Sequence, residues 1–303
     1  MPLLRPLTSA DSSSVFSRNA SRWQHLGRQL ALGVGLCAGL AIAAPGFADE
    51  AMAPKAAQYT TQDLNEQLVL ATLWMQASGE FRALSYQAFN LAQLRYDMYS
   101  AAHTGNRKLA VVVDADETVI DNSAFEAWLV GKDFGYSSKT WERWMAAADA
   151  KAMPGAVDFL NYVKSRGGEV FYVTNRKEVG REGTLKNLKA LGFPYVDDAH
   201  LMLRTDTSNK SPRREMIAQN YDIALLMGDN LNDFSSAFDV KTLAESKAAV
   251  DAHKKDFGSR FIMLPNPTYG DWEGKVYGGN WGASAAEKDA MRKSHLDVWE
   301  AKP

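Results

Sequence analysis

The chain has 303 residues, 46% of them hydrophobic and 23% charged, with a formal net charge of −2. That length buries a full core, as one domain or as one domain with an inserted cap, and the composition is that of a soluble globular protein. The charge excludes a nucleic-acid polymer as the main partner, because there is no basic excess to neutralise its phosphates.

Arg5, Arg18, Arg22 and Arg28 precede an apolar, Gly- and Ala-rich run from Leu30 to Phe47, and Gly46-Phe47-Ala48 puts small residues at a cleavage site. Residues 1–48 therefore read as an export signal, and 49–303 as a mature chain that is periplasmic or secreted. The run approaches bilayer-spanning length, but its Gly/Ala content and cleavage site favour removal over anchoring. Cys37, the only cysteine, follows Leu36 inside that run. This is a poor context for lipidation, so membrane attachment after cleavage is not expected and the mature chain can form no disulfide.

Residues 49–58 read as a flexible leader. Apolar residues at three-four spacing predict helix from Thr61 to about Ala102, with a break at Ser78-Gly79 and with Trp74, Phe81, Tyr86 and Phe89 as packing residues. The pattern then changes. LAVVV (109–113), GEVFYV (168–173), ALLM (224–227) and FIML (261–264) are continuous apolar runs, as in strands covered on both faces. Helical stretches at Gly155–Ser165, Glu178–Leu191 and Pro212–Asn220 lie between them. Such alternation predicts an α/β fold, a doubly wound parallel sheet with an N-terminal helical segment. The stretch of about 122–153, with Trp128, Trp141 and Trp144 and a helix beginning near Ser138, interrupts it. It is too long for a loop and too short for a domain, so it reads as a small helical cap inserted over the cleft.

Ligands of such sheets bind beyond the carboxyl ends of the strands, where four segments carry reactive groups. Asp114 and Asp116 flank Ala115 after the first strand, and strand alternation would put their side chains on one side. One carboxylate can attack phosphorus while the other gives a proton to the leaving oxygen. Thr174, Asn175 and Arg176 follow the second run and offer a hydroxyl, N–H groups and a cation for a phosphoryl oxygen. Lys210 precedes Ser211-Pro212, read as the N-cap and first residue of a helix, where anions are favoured. Asp229 and Asp233 follow Gly228 after the third run; hard oxygen donors of this kind suit Mg²⁺. Each segment alone has a structural explanation. Together, in order, at successive strand ends, they point to metal-assisted phosphoryl transfer.

The set D-x-D-E-T at 114–118, Thr174, Lys210 and G-D-N-x-N-D at 228–233 resembles the haloacid dehalogenase (HAD) superfamily. VVVDADETVIDNS, TWERW, PGAVDFLNYV, VTNRKE and LPNPTYGDWEG are similar to its class C, four-aspartate acid phosphatases. The resemblance implies a HAD-like Rossmannoid core over 49–303, an Asp114 nucleophile and an Asp116 acid/base. It implies Mg²⁺ held by Asp114, the Asp116 main chain and Asp229 with Asp233 in support, phosphate bound by Thr174 and Lys210, and a homodimer. It also implies that Trp141 and Tyr269 stack on the base of a nucleoside 5′-monophosphate. The expected activity is an exported, Mg²⁺-dependent phosphomonoesterase. Two rivals remain: a phosphotransferase on the same groups, and a surface protein binding a haem-type ligand beside a vestigial site.

Overall fold

The computed structural model describes residues 59–300, so the expected signal and leader lie outside the described residues. Three helices come first: α1 (Thr61–Glu66), α2 (Leu68–Ala77) and α3 (Gly79–Ala102). The break at Ser78-Gly79 is present. Ser78 is extended, and its hydroxyl accepts from the Phe81 N–H at 3.0 Å, capping α3. A second break falls at Gln67. Its side chain donates to Asp289 and accepts from Arg292, both at 2.7 Å, on a helix more than two hundred residues away, so no local pattern announces it.

The chain then runs through β1 (Leu109–Val113), β2 (Ile120–Asp121), α4 (Ser123–Leu129), α5 (Ser138–Ala147), β3 (Lys151–Ala152), α6 (Ala156–Ser165) and β4 (Glu169–Lys177). It continues as α7 (Arg181–Ala190), β5 (Leu201–Arg204), α8 (Ser211–Asn220) and β6 (Asp222–Gly228). The last elements are α9 (Leu243–Ala252), β7 (Phe261–Met263), α10 (Asp271–Val276) and α11 (Ala285–Ser294). Five strands form one parallel sheet in the order β5-β4-β1-β6-β7.

β1 lies at the centre, and its alternate side chains enter two cores. Val111 and Val113 pack with Phe81, Phe89 and Tyr96 of α3 and with Phe159, Leu160 and Val163 of α6. Ala110 and Val112 pack on the other face with Ile217 of α8 and with Phe234, Phe238 and Phe261. Two covered faces explain why the strand reads as an unbroken apolar run. Each large side chain so buried contributes about 1.5–3 kcal/mol.

Several boundaries differ from expectation. β4 continues past Val173 to Lys177, and β5, not anticipated, is a four-residue edge strand too short to stand out. The helix expected over 178–191 opens with a 3₁₀ turn at Glu178–Gly180. Helix α8 begins one residue early, with Lys210 rather than Ser211 at the N-cap, because Asn209 Oδ1 takes the Ser211 N–H at 2.9 Å. Helices α9 to α11 were also unanticipated, since they bury little.

The excursion from Asn122 to Met153 leaves and returns through a two-stranded antiparallel neck, in which Ile120 pairs with Ala152 and Asp121 with Lys151. Within it, α5 starts at Ser138, capped by Ser137. It packs on α7 through Met145. A Cβ at Gly183 would lie 2.0 Å from the Met145 carbonyl oxygen, so the close approach requires glycine there.

Candidate active site

Asp114 is the first residue beyond β1, and its N–H donates to the Met227 carbonyl of β6 at 2.9 Å, which fixes its position. Beside it, β6 ends in Gly228, and Asp229 and Asp233 follow. The 3₁₀ turn Leu231–Asp233 is capped by Asn230, whose N–H donates to Asp233 Oδ2 at 3.0 Å. A Cβ on Gly228 would sit 2.2 Å from that same oxygen, so glycine is what admits the carboxylate. Asp114, Asp229 and Asp233 each offer an oxygen within 4.8 Å of the others.

Lys210, at the head of α8, donates from Nζ to Asp114 Oδ1 and, at 2.6 Å, to Asp233 Oδ1. Asn266 Nδ2 donates to Asp229 Oδ2 at 2.9 Å. Three carboxylates thus face one ammonium. Burial pushes the Asp114 carboxyl up; Lys210 opposes this, and Asp233 and Asp116 add to it. Asp229 is raised well above the usual carboxylate range, first by burial and then by the Asp233 and Asp114 charges. Burial alone would lower the Lys210 ammonium, but Asp114 and Asp233 outweigh it and hold it above its ordinary value. The donor set is all oxygen and short of positive charge, which fits a hard divalent cation among Asp114, Asp229 and Asp233.

The Asp116 side chain does not join this cluster. Strand alternation stops at Val113: Ala115 O accepts from both Val119 and Ile120 N–H at 3.0 Å, and Glu117 takes φ 53°. The loop turns Asp116 towards β4. There Arg176 holds it, Nη2 to Oδ1 at 2.7 Å and Nε at 2.9 Å, while Asn122 Nδ2 donates to Oδ1 at 2.8 Å. This corrects the expectation for Arg176. Its guanidinium is buried and engaged by Asp116, Asn122 and Thr184 rather than presented to a phosphate.

Thr174 is buried, with its hydroxyl accepting from the Arg176 N–H at 3.1 Å and lying 3.4 Å from Asp116 Oδ2. Asn175 is exposed. Arg213 steadies both, donating to Thr174 O at 2.6 Å and to Asn175 Oδ1 at 2.8 Å. Trp141, on α5, lies edge-on to Phe125 at 5.0 Å, with the Arg176 guanidinium 5.6 Å from its ring. The Tyr269 hydroxyl donates to Glu117 Oε2. Glu117 also accepts the Asn122 N–H at 2.7 Å. Burial, and then Asp116, pushes the Glu117 carboxyl well up; burial, and then Glu117, does the same to the Tyr269 phenol.

Glu117, Asn122, Arg213 and Asn266 were not singled out from sequence. All come from loops or helix surfaces without periodic pattern. The available signal was the place of Glu117 and Asn122 inside DADETVIDNS, of Asn266 inside LPNPTYGDWEG and of Arg213 three residues after Lys210 in NKSPRRE.

The sequence matches the family model described as HAD superfamily, subfamily IIIB (Acid phosphatase), over residues 43–272. Among solved structures it is similar to the class C acid phosphatase from Bacillus anthracis, at 42% identity and TM-score 0.75, covering 78% of this chain and 99% of that one. The tungstate-bound form of that enzyme matches at 41% identity and TM-score 0.74, again over 78% and 99%. A stretch of 140 residues is 26% identical to the Stem 31 kDa glycoprotein of Glycine max, 44% of this chain and 48% of that protein. The chain thus spans about half the length of that curated relative.

Proposed function

The chain belongs to the subfamily IIIB acid phosphatases of the HAD superfamily, and from that premise we propose that it hydrolyses phosphomonoesters through a phosphoaspartate on Asp114. The observation that carries this reading is the division of labour between two neighbouring aspartates. Asp114 is held by Lys210 in the acidic cluster, and Asp116 by Arg176 outside it.

In the first step an Asp114 carboxylate oxygen forms a bond to phosphorus and the bond to the ester oxygen breaks. Asp116 gives its proton to that departing oxygen. In the second step water attacks phosphorus, Asp116 takes the water proton, the Asp114–phosphorus bond breaks and inorganic phosphate leaves. Lys210 keeps the nucleophile ionised and offsets charge on the phosphoryl group. Arg176 and Asn122 hold Asp116 on the leaving-group side. Thr174, steadied by Arg213, offers its hydroxyl to a phosphoryl oxygen. A divalent cation, which we take to be Mg²⁺, would be held by Asp114, Asp229 and Asp233 and would lower the repulsion between an anionic nucleophile and an anionic substrate. A solved relative binds tungstate, a tetrahedral oxyanion shaped like phosphate.

For the substrate we propose nucleoside 5′-monophosphates. Tyr269, through Glu117 and Asn122, and Trp141, through Arg176, both adjoin the network around Asp116, where the leaving group emerges. Flat rings there suit a base. The basic, apolar N-terminal run over 1–48 supports export of the mature chain.

Phosphate release from 5′-mononucleotides, 3′-mononucleotides and sugar phosphates, with Mg²⁺ and with chelator, tests this. We expect chelator-sensitive release that is fastest for 5′-nucleotides, and a loss of roughly four orders of magnitude in Asp114→Asn with unchanged circular dichroism. Full activity in Asp114→Asn would overturn the mechanism, and release from sugar phosphates alone would overturn the nucleotide assignment.

A further inference from the structure

Beside Thr174 lies a shallow, open cleft with a cavity volume of about 60 Å³, lined by Tyr136, Trp141, Glu142, Asn175, Lys177 and Arg204 among others. Lys177 and Arg204 occupy the carboxyl ends of β4 and β5 and are register partners in that parallel ladder. Adjacent strands lie about 4.8 Å apart, so two cations stand side by side. Like charges placed opposite one another destabilise a sheet. Nothing among the described residues relieves this pair. Among the described residues the Arg204 guanidinium has no hydrogen-bond or ion-pair partner, and Lys177 Nζ reaches only the Ser138 hydroxyl, at 3.5 Å. Glu142 lines the same cleft but forms an ion pair with neither.

The cleft also adjoins the phosphoryl-binding segment. Asn175, on its wall, follows Thr174, and Trp141, on its floor, lies against the Arg176 guanidinium that grips Asp116. The cleft thus adjoins the residues that flank Asp116, and it places Trp141, packed on Tyr136 at 6.1 Å, beside the two cations. Arg presents a planar fork that matches a phosphate, and Lys adds a point charge.

We propose that Lys177 and Arg204 form a second anion subsite, so that the preferred substrates carry a second phosphate on the leaving group, as a nucleoside bisphosphate does. This rests on the phosphomonoesterase reading above. The base lies against Trp141, as in the reading above, and the two cations receive the phosphate that is not cleaved. The proposal concerns binding, so it can be measured apart from turnover.

Binding is read by calorimetry with Mg²⁺ on the Asp114→Asn protein, in which turnover is blocked, using adenosine 5′-monophosphate and adenosine 3′,5′-bisphosphate. We expect the bisphosphate to bind about tenfold more tightly. Adding Lys177→Gln and Arg204→Gln should bring the ratio of the two affinities to about one. Equal affinities before the two substitutions, or a preference that survives them, would overturn the subsite. The first comparison needs no change at Lys177 or Arg204, so it decides the matter even if the triple variant folds poorly. Absence of phosphate release by the unmodified protein would instead remove the phosphomonoesterase reading, a result distinct from either binding outcome.

Discussion

The two aspartates of D-x-D lie two residues apart, yet they sit in opposite electrostatic settings. Around Asp114, three carboxylates share one ammonium, and burial pushes Asp114 and Asp229 upward. Around Asp116, a buried arginine and an asparagine amide satisfy the carboxylate within the chain's own groups. One half is short of a cation and gains from a bound ion; the other is complete without one. Chemistry that needs a nucleophile fixed by a metal and a proton donor kept apart from it is served by this difference, which the loop between β1 and β2 creates.

The largest test of the contrast is Arg176→Ala. It leaves the partly buried Asp116 carboxylate beside Glu117 without its cation, and thermal denaturation should show a loss of about 3 kcal/mol, the same with and without Mg²⁺. A loss that Mg²⁺ reverses would mean that the two halves are not separate. Next in size is the response to metal. Mg²⁺ at a hundred times its dissociation constant should stabilise the unmodified protein by about 2.7 kcal/mol, and this gain should vanish in Asp229→Asn. An undiminished gain there would place the ion elsewhere.

The smallest effect sharpens the comparison from outside the site. Glu126 of α4 is a buried carboxyl with no cation, raised to about 7 by burial and then by the Glu273 charge. Its folded-state affinity for a proton exceeds that of the unfolded chain. Its contribution to stability is therefore full at acid pH and is lost as pH rises from its ordinary value of 4.5 through about 7. Glu126→Gln should raise stability at pH 8 relative to the unmodified protein and change little at pH 4. A gain of equal size at both pH values would remove titration as its cause.

Much of this architecture is legible in the residues themselves. Asp114, Thr174, Lys210, Asp229 and Asp233 follow apolar runs or open a helix, and a parallel sheet gathers such ends without further information. The structure brings oxygens of Asp114, Asp229 and Asp233 within 4.8 Å of one another and joins Lys210 to Asp114 and Asp233. The role of Arg176 was not legible, because it depends on a loop that rotates Asp116 out of strand alternation. Nor was the pairing of Lys177 with Arg204, since β5 is four residues long and its neighbour is set by the sheet rather than by sequence distance. Asn122 and Asn266 lie in loops, where hydrogen-bond partners are chosen by tertiary geometry.

The β4–β5 ladder breaks register between Val173 and Lys177. Thr174, Asn175 and Arg176 fall within the break, so their replacement need not unpair an edge strand. Of the three, Thr174 and Arg176 are buried in the network around Asp116, and Asn175 alone is exposed, so a change at Asn175 can alter the site wall while the ladder on either side stays as it is. The irregularity thus leaves one exposed side chain, Asn175, between two buried anchors, Thr174 and Arg176, and Asn175 is where selectivity can be altered at least cost to the frame.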